Sequence, residues 1–427
     1  MKIAVIGGGS TYTPELVSGL WRQRDRLSVD ELVLMDPDLP RLEVVGGMAR
    51  RMLAKQGSDV EVTLTGDRSA ALDGADAVLI QLRVGGQAAR LRDETFPLEC
   101  DCIGQETTGA GGLAKALRTV PVVLDIAEEA ARRAAPGYRF VDFTNPVGIN
   151  TRALQDAGHT GAMGLCNFAI GMQRWIAAEH DIDPWRVEVD PVGLNHLSWV
   201  RHIRIDGEDI LPGMIEREWE RLGRRSGVAG ELVRELGVLP SYYLHYYYEH
   251  DATVAAMKRE TPRAQVVAET EAELLAIYAD ETVDEKPAAL DRRGGAWYSE
   301  AATALLASLV AGTGDNHVVN VRNNGTIAGL ADDDVIETLC RIDASGATPL
   351  PQEPVAPELL GLIQHVSAYE RLAVQAATSG DRVLVRKAML AHPLIGQWSL
   401  VTRLEERLFA TGAEHLSQFH TARTAQE

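Results

Sequence analysis

Near the start of the chain, apolar residues fall in short unbroken runs separated by stretches of helical spacing. Lys2–Ile6 (KIAVI) is apolar and rich in β-branched residues, which predicts a strand buried on both faces. Three glycines follow, and Leu16, Leu20 and Trp21 then share one helical face. ELVLMDPD (31–38) predicts a second strand ending at Asp36. Residues 41–56 carry helical periodicity. EVTLT, ADAVLIQLR and YRFVDFTNP predict further strands, with a helix over 115–134 between the last two. Strands alternating with helices predict α/β architecture, an N-terminal Rossmann-like, doubly wound domain.

Past about residue 165 the texture changes. Helical spacing dominates over about 209–236, 263–281, 298–311, 357–378 and 380–410, and aromatics crowd into YYLHYYYEH. The pattern therefore divides the chain into residues 1–165 and a larger, mainly helical α+β C-terminal domain, 166–427. No internal repeat or low-complexity segment interrupts either part.

Composition narrows the partners. A length of 427 residues supports two domains with large cores. The formal net charge is −19, which argues against nucleic-acid and anionic-membrane partners. A small anionic ligand stays possible, because a few arginines can make a local positive pocket. No run of 18 apolar residues occurs, so no membrane span is expected. The N-terminus has neither the long apolar core nor the cleavage site of a signal peptide, and a cytoplasmic protein is expected. Four cysteines are too few for a disulfide framework, which leaves their thiols free for metal or catalysis.

Several stretches carry candidate chemistry. In IGGGSTYTPEL, Gly7 and Gly9 permit close backbone approach, and Ser10 and Thr11 lead into a helix whose free N–H groups suit a pyrophosphate. Asp36 is placed to bond an adenosine ribose, favouring NAD over NADP. The third glycine of the usual fingerprint is Tyr12 here, which implies an altered turn. LRVGGQAARLRDE (82–94) holds Arg83 and Arg90, whose guanidinium forks suit oxyanions; Arg92 reads as part of a solvated loop. IGQETTGAGGL (103–113), with Glu106, Thr107 and Thr108, reads as a mobile cover or a ligand cradle. Asn145 closes a strand in FTNP, where such sheets bind ligands, although on this stretch alone a turn asparagine before proline is the favoured reading. Arg292 and Arg293 precede two glycines and a helix start, and read as an anion site or a charged turn. Asn324–Gly325 predicts a type I′ hairpin turn. Cys166 in GLCN and His196 in GLNH could serve a transition metal, yet no compact ligand spacing joins them. On chemistry alone they read as a core thiol and a structural histidine.

Together, IGGGSTYTPEL, RVGG, IGQETTG, FTNPVG, GLCN, GLNH, RRGGAWYS and VRNNG follow the order of glycoside hydrolase family 4, and the chain resembles that family over nearly its whole length. The resemblance is nearest to the 6-phospho-β-glucosidase branch, because Asn167 follows the cysteine. It implies a lactate/malate dehydrogenase-like fold, NAD and a divalent metal, usually Mn2+. It makes Cys166 and His196 metal ligands and Tyr243 the base. It assigns Arg83, Arg90, Asn145, Asn167 and Arg293 to the sugar and its anionic end. The implied reaction is hydrolysis of 6-phospho-β-glucosides such as cellobiose 6-phosphate: transient oxidation at C3, deprotonation at C2, elimination of the aglycone and addition of water. A homodimer or homotetramer is expected. Two departures stand out. Phe168-Ala169 replaces the usual Val-Pro, and His245 replaces an arginine. They keep open a related β-glycosidase for a sugar without a 6-phosphate. The fold alone also permits an NAD-dependent dehydrogenase of a hydroxy acid or sugar.

Overall fold

A computed structural model describes residues 1–293 and 297–421. The glycines of RRGGAWYS, Gly294 and Gly295, lie outside the described residues. The first half alternates as the apolar runs predict. Strands β1 (Lys2–Ile6), β2 (Glu31–Met35), β3 (Glu61–Thr65), β4 (Ala77–Ile80), β5 (Arg139–Asp142) and β6 (Ala162–Gly164) pair in parallel in the order 3-2-1-4-5-6. That is the Rossmann order, and it reverses between β1 and β4. The strands β1, β2 and β4 are short and buried on both faces, so their runs are uniformly apolar, whereas the edge strand β3 buries only Val62 and alternates.

The second half is less helical than its periodicity predicts. β7 (Val187–Leu194) and β8 (Leu197–Ile205) form a hairpin, joined by the two-residue strands β9 (Glu208–Asp209) and β10 (Leu239–Pro240). β11 (Asp315–Arg322), β12 (Val335–Asp343) and β13 (Gly346–Pro349) then return to the first sheet and extend it antiparallel beyond β6, to nine strands. β12 escapes a period-2 reading because it buries Glu337 and Thr338 along with Ile336 and Leu339. Asn324 and Gly325 do form a tight turn with positive φ of 43° and 80°, closed by Thr326 N–H to Asn323 O at 2.8 Å. It does not join two strands directly, since the β11–β12 connection runs over 323–334.

Two segments read as loops are helical. The helix Gly86–Thr95 occupies most of the arginine-bearing stretch, and the helix Gly109–Arg133 begins inside the glycine-rich one. The latter ties the halves together. Its Leu113, Leu117 and Val120 pack with the C-terminal helices Pro357–Ser379 and Arg382–Ala391. Further along, its Val123, Ile126 and Ala127 pack beneath β1, β4 and β5. The opposite face of the sheet is covered by the helices Thr13–Arg22, Leu39–Lys55 and Tyr298–Ala311.

Candidate functional site

The parallel strands all point their carboxyl ends to one edge, and the candidate residues emerge there: Gly7 after β1, Asp36 after β2, Arg83 after β4, Asn145 after β5 and Cys166 after β6. This is the edge at which open α/β sheets bind ligands.

At β1 the chain turns sharply. Gly7 has φ +92°, and a side chain there would meet Gln81 O at 2.6 Å. Gly7 and Gly8 N–H both donate to Met35 O, at 2.9 and 2.8 Å. Gly9 N–H donates to Asp36 Oδ2 at 3.1 Å, so Asp36 already braces the turn. Ser10 N–H closes it on Gly7 O at 3.0 Å. Thr11 is fully buried, and its carbonyl accepts from Tyr278 Oη at 2.8 Å. Tyr12 sits at an ordinary φ of −82°, which is why no third glycine is needed. Its ring lies under Arg293, whose guanidinium carbon is 4.1 Å from the ring centroid.

Across the edge, several elements bring a second group together. His196 occupies the tip of the β7–β8 hairpin with φ +60°, a strained conformation for a residue with a side chain. Tyr243, in the short 3-10 turn Tyr242–Leu244, stacks on it with ring centroids 3.6 Å apart and planes 14° from parallel. Cys166 is buried at the end of β6 and receives Tyr298 Oη at 3.8 Å. Tyr298 Oη also accepts from Asn145 Nδ2 at 3.4 Å. Asn167 immediately precedes the helix Phe168–His180, with its Oδ1 4.0 Å from the Cys166 sulfur.

Burial keeps this group neutral. It pushes the Cys166 thiol up to about 12, reinforced by Glu337, and drives His196 down to about 3, helped by Lys115. It raises the Tyr243 hydroxyl well above its usual value, with the Cys166 charge adding to the effect. His196 Nε2 and Asn145 Oδ1 are both buried without a hydrogen-bond partner. A neutral imidazole with a bare ring nitrogen, a buried thiol and an amide oxygen fit a borderline divalent cation. Among the described residues no three His, Cys, Asp or Glu side chains gather. Cys166 and His196 are the side chains here that could hold such a cation, which would leave its remaining positions to other oxygens.

The arginines are held by carboxylates. Glu106 accepts from Arg83, lies 3.2 Å from Arg90 Nε and 2.6 Å from Lys115 Nζ. Burial works to raise Glu106, but Arg83, Lys115 and Arg90 outweigh it and hold the carboxyl well below its usual value. Arg90 also pairs with Glu94 at 2.6 Å. Arg293 is chelated by Glu271, with contacts of 2.6 and 3.0 Å, and so sits with the nucleotide turn rather than with Cys166. Arg92 is surface-paired with Glu414.

Sequence reasoning passed over Tyr298, Lys115, Gln105, Asn195 and Glu337. Asn195 donates to the buried Glu337 at 3.1 Å, directly beside His196 in the chain. Tyr298, Asn195 and Gln105 stand inside the quoted motifs, so the signal was proximity to a recognised residue. Lys115 and Glu337 carry another, a charged residue within an otherwise apolar run.

Comparison with known proteins agrees with this geometry. The family model described as Family 4 glycosyl hydrolase matches residues 2–182, and that of the Family 4 glycosyl hydrolase C-terminal domain matches residues 191–395. The chain is 38% identical over 437 residues to the "Probable 6-phospho-beta-glucosidase" of Bacillus subtilis (strain 168), covering 98% of each. It is 34% identical over 415 residues to the 6-phospho-beta-glucosidase of Escherichia coli (strain K12), covering 92% of this chain and 91% of that one. The 6-phospho-beta glucosidase of Thermotoga maritima, solved with manganese, NAD+ and glucose-6-phosphate, superposes with a TM-score of 0.91 at 33% identity. That superposition covers 97% of this chain and 99% of the other.

Proposed function

The chain belongs to family 4 of the glycosyl hydrolases, and from that membership we propose that it hydrolyses 6-phospho-β-glucosides with NAD and a divalent cation, Mn2+ by preference. It is a glycoside hydrolase. The observation that carries the finer reading is Tyr243 stacked on a histidine with a bare Nε2, beside the buried Cys166.

Gly7, Gly9, Ser10, Thr11 and Asp36 would hold the dinucleotide, and Cys166 and His196 the cation. When bound, NAD+ accepts hydride from the sugar's C3, and the cation spreads negative charge on neighbouring sugar oxygens. Tyr243 Oη takes the proton from C2. Burial opposes its ionisation, so the phenolate forms only beside positive charge; the stacking on His196 supports this role, because a cation held by that ring would supply the charge. The aglycone then leaves from C1, water adds in its place, and the hydride would return to C3, so that the net change is hydrolysis and the nicotinamide ends as NAD+. Asn145 and Asn167 hold sugar hydroxyls. Arg83 and Arg90 set the field for the anionic end, each with its carboxylate fixing its direction, while Arg293, held by Glu271 over Tyr12, serves the nucleotide turn. The dinucleotide half is residues 1–165, and most of the metal and substrate residues follow it. Among the described residues no helix is long and apolar enough to cross a membrane. A phosphorylated sugar as substrate places the enzyme in the cytoplasm. The assembly is a dimer or tetramer, which sedimentation of the purified chain checks.

The test is release of nitrophenol from p-nitrophenyl β-glucoside 6-phosphate with NAD, Mn2+ and a thiol reductant. The α-anomer, the glucoside without phosphate, and reactions lacking NAD or treated with EDTA serve as controls. Turnover that needs both NAD and metal and leaves no net NADH is expected. It is lost in Cys166→Ser and Tyr243→Phe. Cleavage of the unphosphorylated glucoside alone would discard the phosphate. Steady NADH production without glycoside cleavage would sink the proposal.

A further inference from the structure

We propose that Thr107, itself fixed by Gln105, is a positioning residue that sets the tautomer and heading of His196, so that Nε2 faces the cation. The proposal rests on the metal reading above. Gln105 Oε1 accepts from the backbone N–H groups of Thr107 and Thr108, the second at 3.1 Å, and from Thr107 Oγ1 at 2.7 Å. Two backbone N–H groups can only donate, so the amide end facing them is the oxygen.

Thr107 Oγ1 therefore spends its one hydrogen on Gln105. Its other contact is His196 Nδ1 at 2.7 Å, and there it can only accept. The hydrogen of the neutral ring accordingly sits on Nδ1, and the lone pair is left on Nε2, the ring atom that is buried without a partner. The hairpin tip supplies the position. φ of +60° swings the ring out of the β7–β8 turn, and Tyr243 covers one face. The hydrogen bond to Thr107 then fixes rotation about the remaining torsion. Ligating histidines depend on such outer partners, and losing one weakens metal binding about 10–100-fold.

Thr107→Val keeps the shape of the side chain and removes the acceptor; Thr107→Ser keeps the acceptor. Metal-free protein would be titrated with Mn2+ by calorimetry and with Co2+ through the thiolate charge-transfer band, alongside Cys166→Ser. The expected result is affinity lower by about 10–100-fold in Thr107→Val, near wild type in Thr107→Ser, and abolished in Cys166→Ser. Nitrogen NMR of histidine-labelled, metal-free wild type reads the tautomer directly and does not depend on any variant folding; a proton on His196 Nδ1 is expected. A proton on Nε2, or a Thr107→Val protein that binds Mn2+ as tightly as wild type, would overturn the proposal alone. Equal binding by wild type and Cys166→Ser would overturn the metal reading with it.

Discussion

Replacing Glu106 by glutamine removes one negative charge from among three cations while preserving shape. The buried carboxylate faces Arg83, Arg90 and Lys115. Breaking a buried ion pair by deleting one partner usually costs about 3–5 kcal/mol. Each cation here has its own relief. Lys115, already driven down to about 7 by burial and by Arg83, sheds its proton near neutrality at little further cost. Arg90 keeps Glu94. Arg83 has a side chain 25% exposed and is partly solvated. The loss at pH 7 should therefore sit at the low end, about 3 kcal/mol. The variant's Lys115 titrates lower still, because it has lost its carboxylate. A lysine with its folded pKa below its unfolded one destabilises most at low pH. The deficit therefore grows as pH falls below 7, by at most about 1.4 kcal/mol per unit. Urea unfolding of both proteins at pH 6, 7 and 8 measures it. The same variant should lose at least about tenfold in kcat/KM, the equivalent of 1.4 kcal/mol, as Arg83 loses its heading. A deficit that is absent at pH 7, or that shrinks toward pH 6, would refute the charge argument.

Tyr278→Phe removes the donor to Thr11 O and should cost about 1 kcal/mol in urea unfolding. Because that bond anchors the nucleotide turn, KM for NAD should rise severalfold with kcat little changed. Gly8→Ala would place a methyl 2.7 Å from Leu34 Cβ and 2.8 Å from its Cα, atoms of a central strand that cannot yield. Destabilisation of about 1–3 kcal/mol and loss of NAD binding by calorimetry are expected. Burial raises Glu370 to about 8, so the folded state holds a proton that the unfolded chain releases near 4.5. Its contribution is present below that value and is lost as pH rises toward 8. Glu370→Gln should flatten this fall and be the more stable protein at pH 9, again by urea unfolding.

What the sequence made legible follows from how locally each feature is encoded. The central parallel strands β1, β2 and β4 were plain because burial on both faces makes each a continuous apolar run. The same run ends at the strand's carboxyl edge, so Asp36 and Asn145 could be placed at the ligand edge from chain position alone. The strands β11 and β12 were not legible. Their buried Asn320, Glu337 and Thr338 erase the alternation, and each is tolerated because a partner reaches it: Asn195 and Ser198 donate to Glu337, Asn320 donates to Gly164 O, and Thr338 accepts from Gln352. The carboxylate partners of the arginines were hidden for a related reason. Glu106 reaches Arg83 from another loop, and Glu271 reaches Arg293 from another helix, so each pair exists only once the chain has folded.

The same reasoning explains why Cys166 looked like a core thiol. Metal motifs that can be read from spacing place their ligands on one helix or one tight turn, where a fixed interval means a fixed geometry. Here the two proposed ligands lie on different elements, one at the end of β6 and one at a hairpin tip. The residues between positions 166 and 196 form a helix and β7, and their number sets no distance between the two side chains. Tyr243 arrives from a third element and Asn145 from a fourth. Each residue's own setting was still telling. A non-glycine held at φ +60° with an unpartnered ring nitrogen is strain without structural return. Filling the hairpin tip with glycine would relieve the strain but remove the ring and its bare nitrogen, and that trade is the argument for proposing His196 as a ligand.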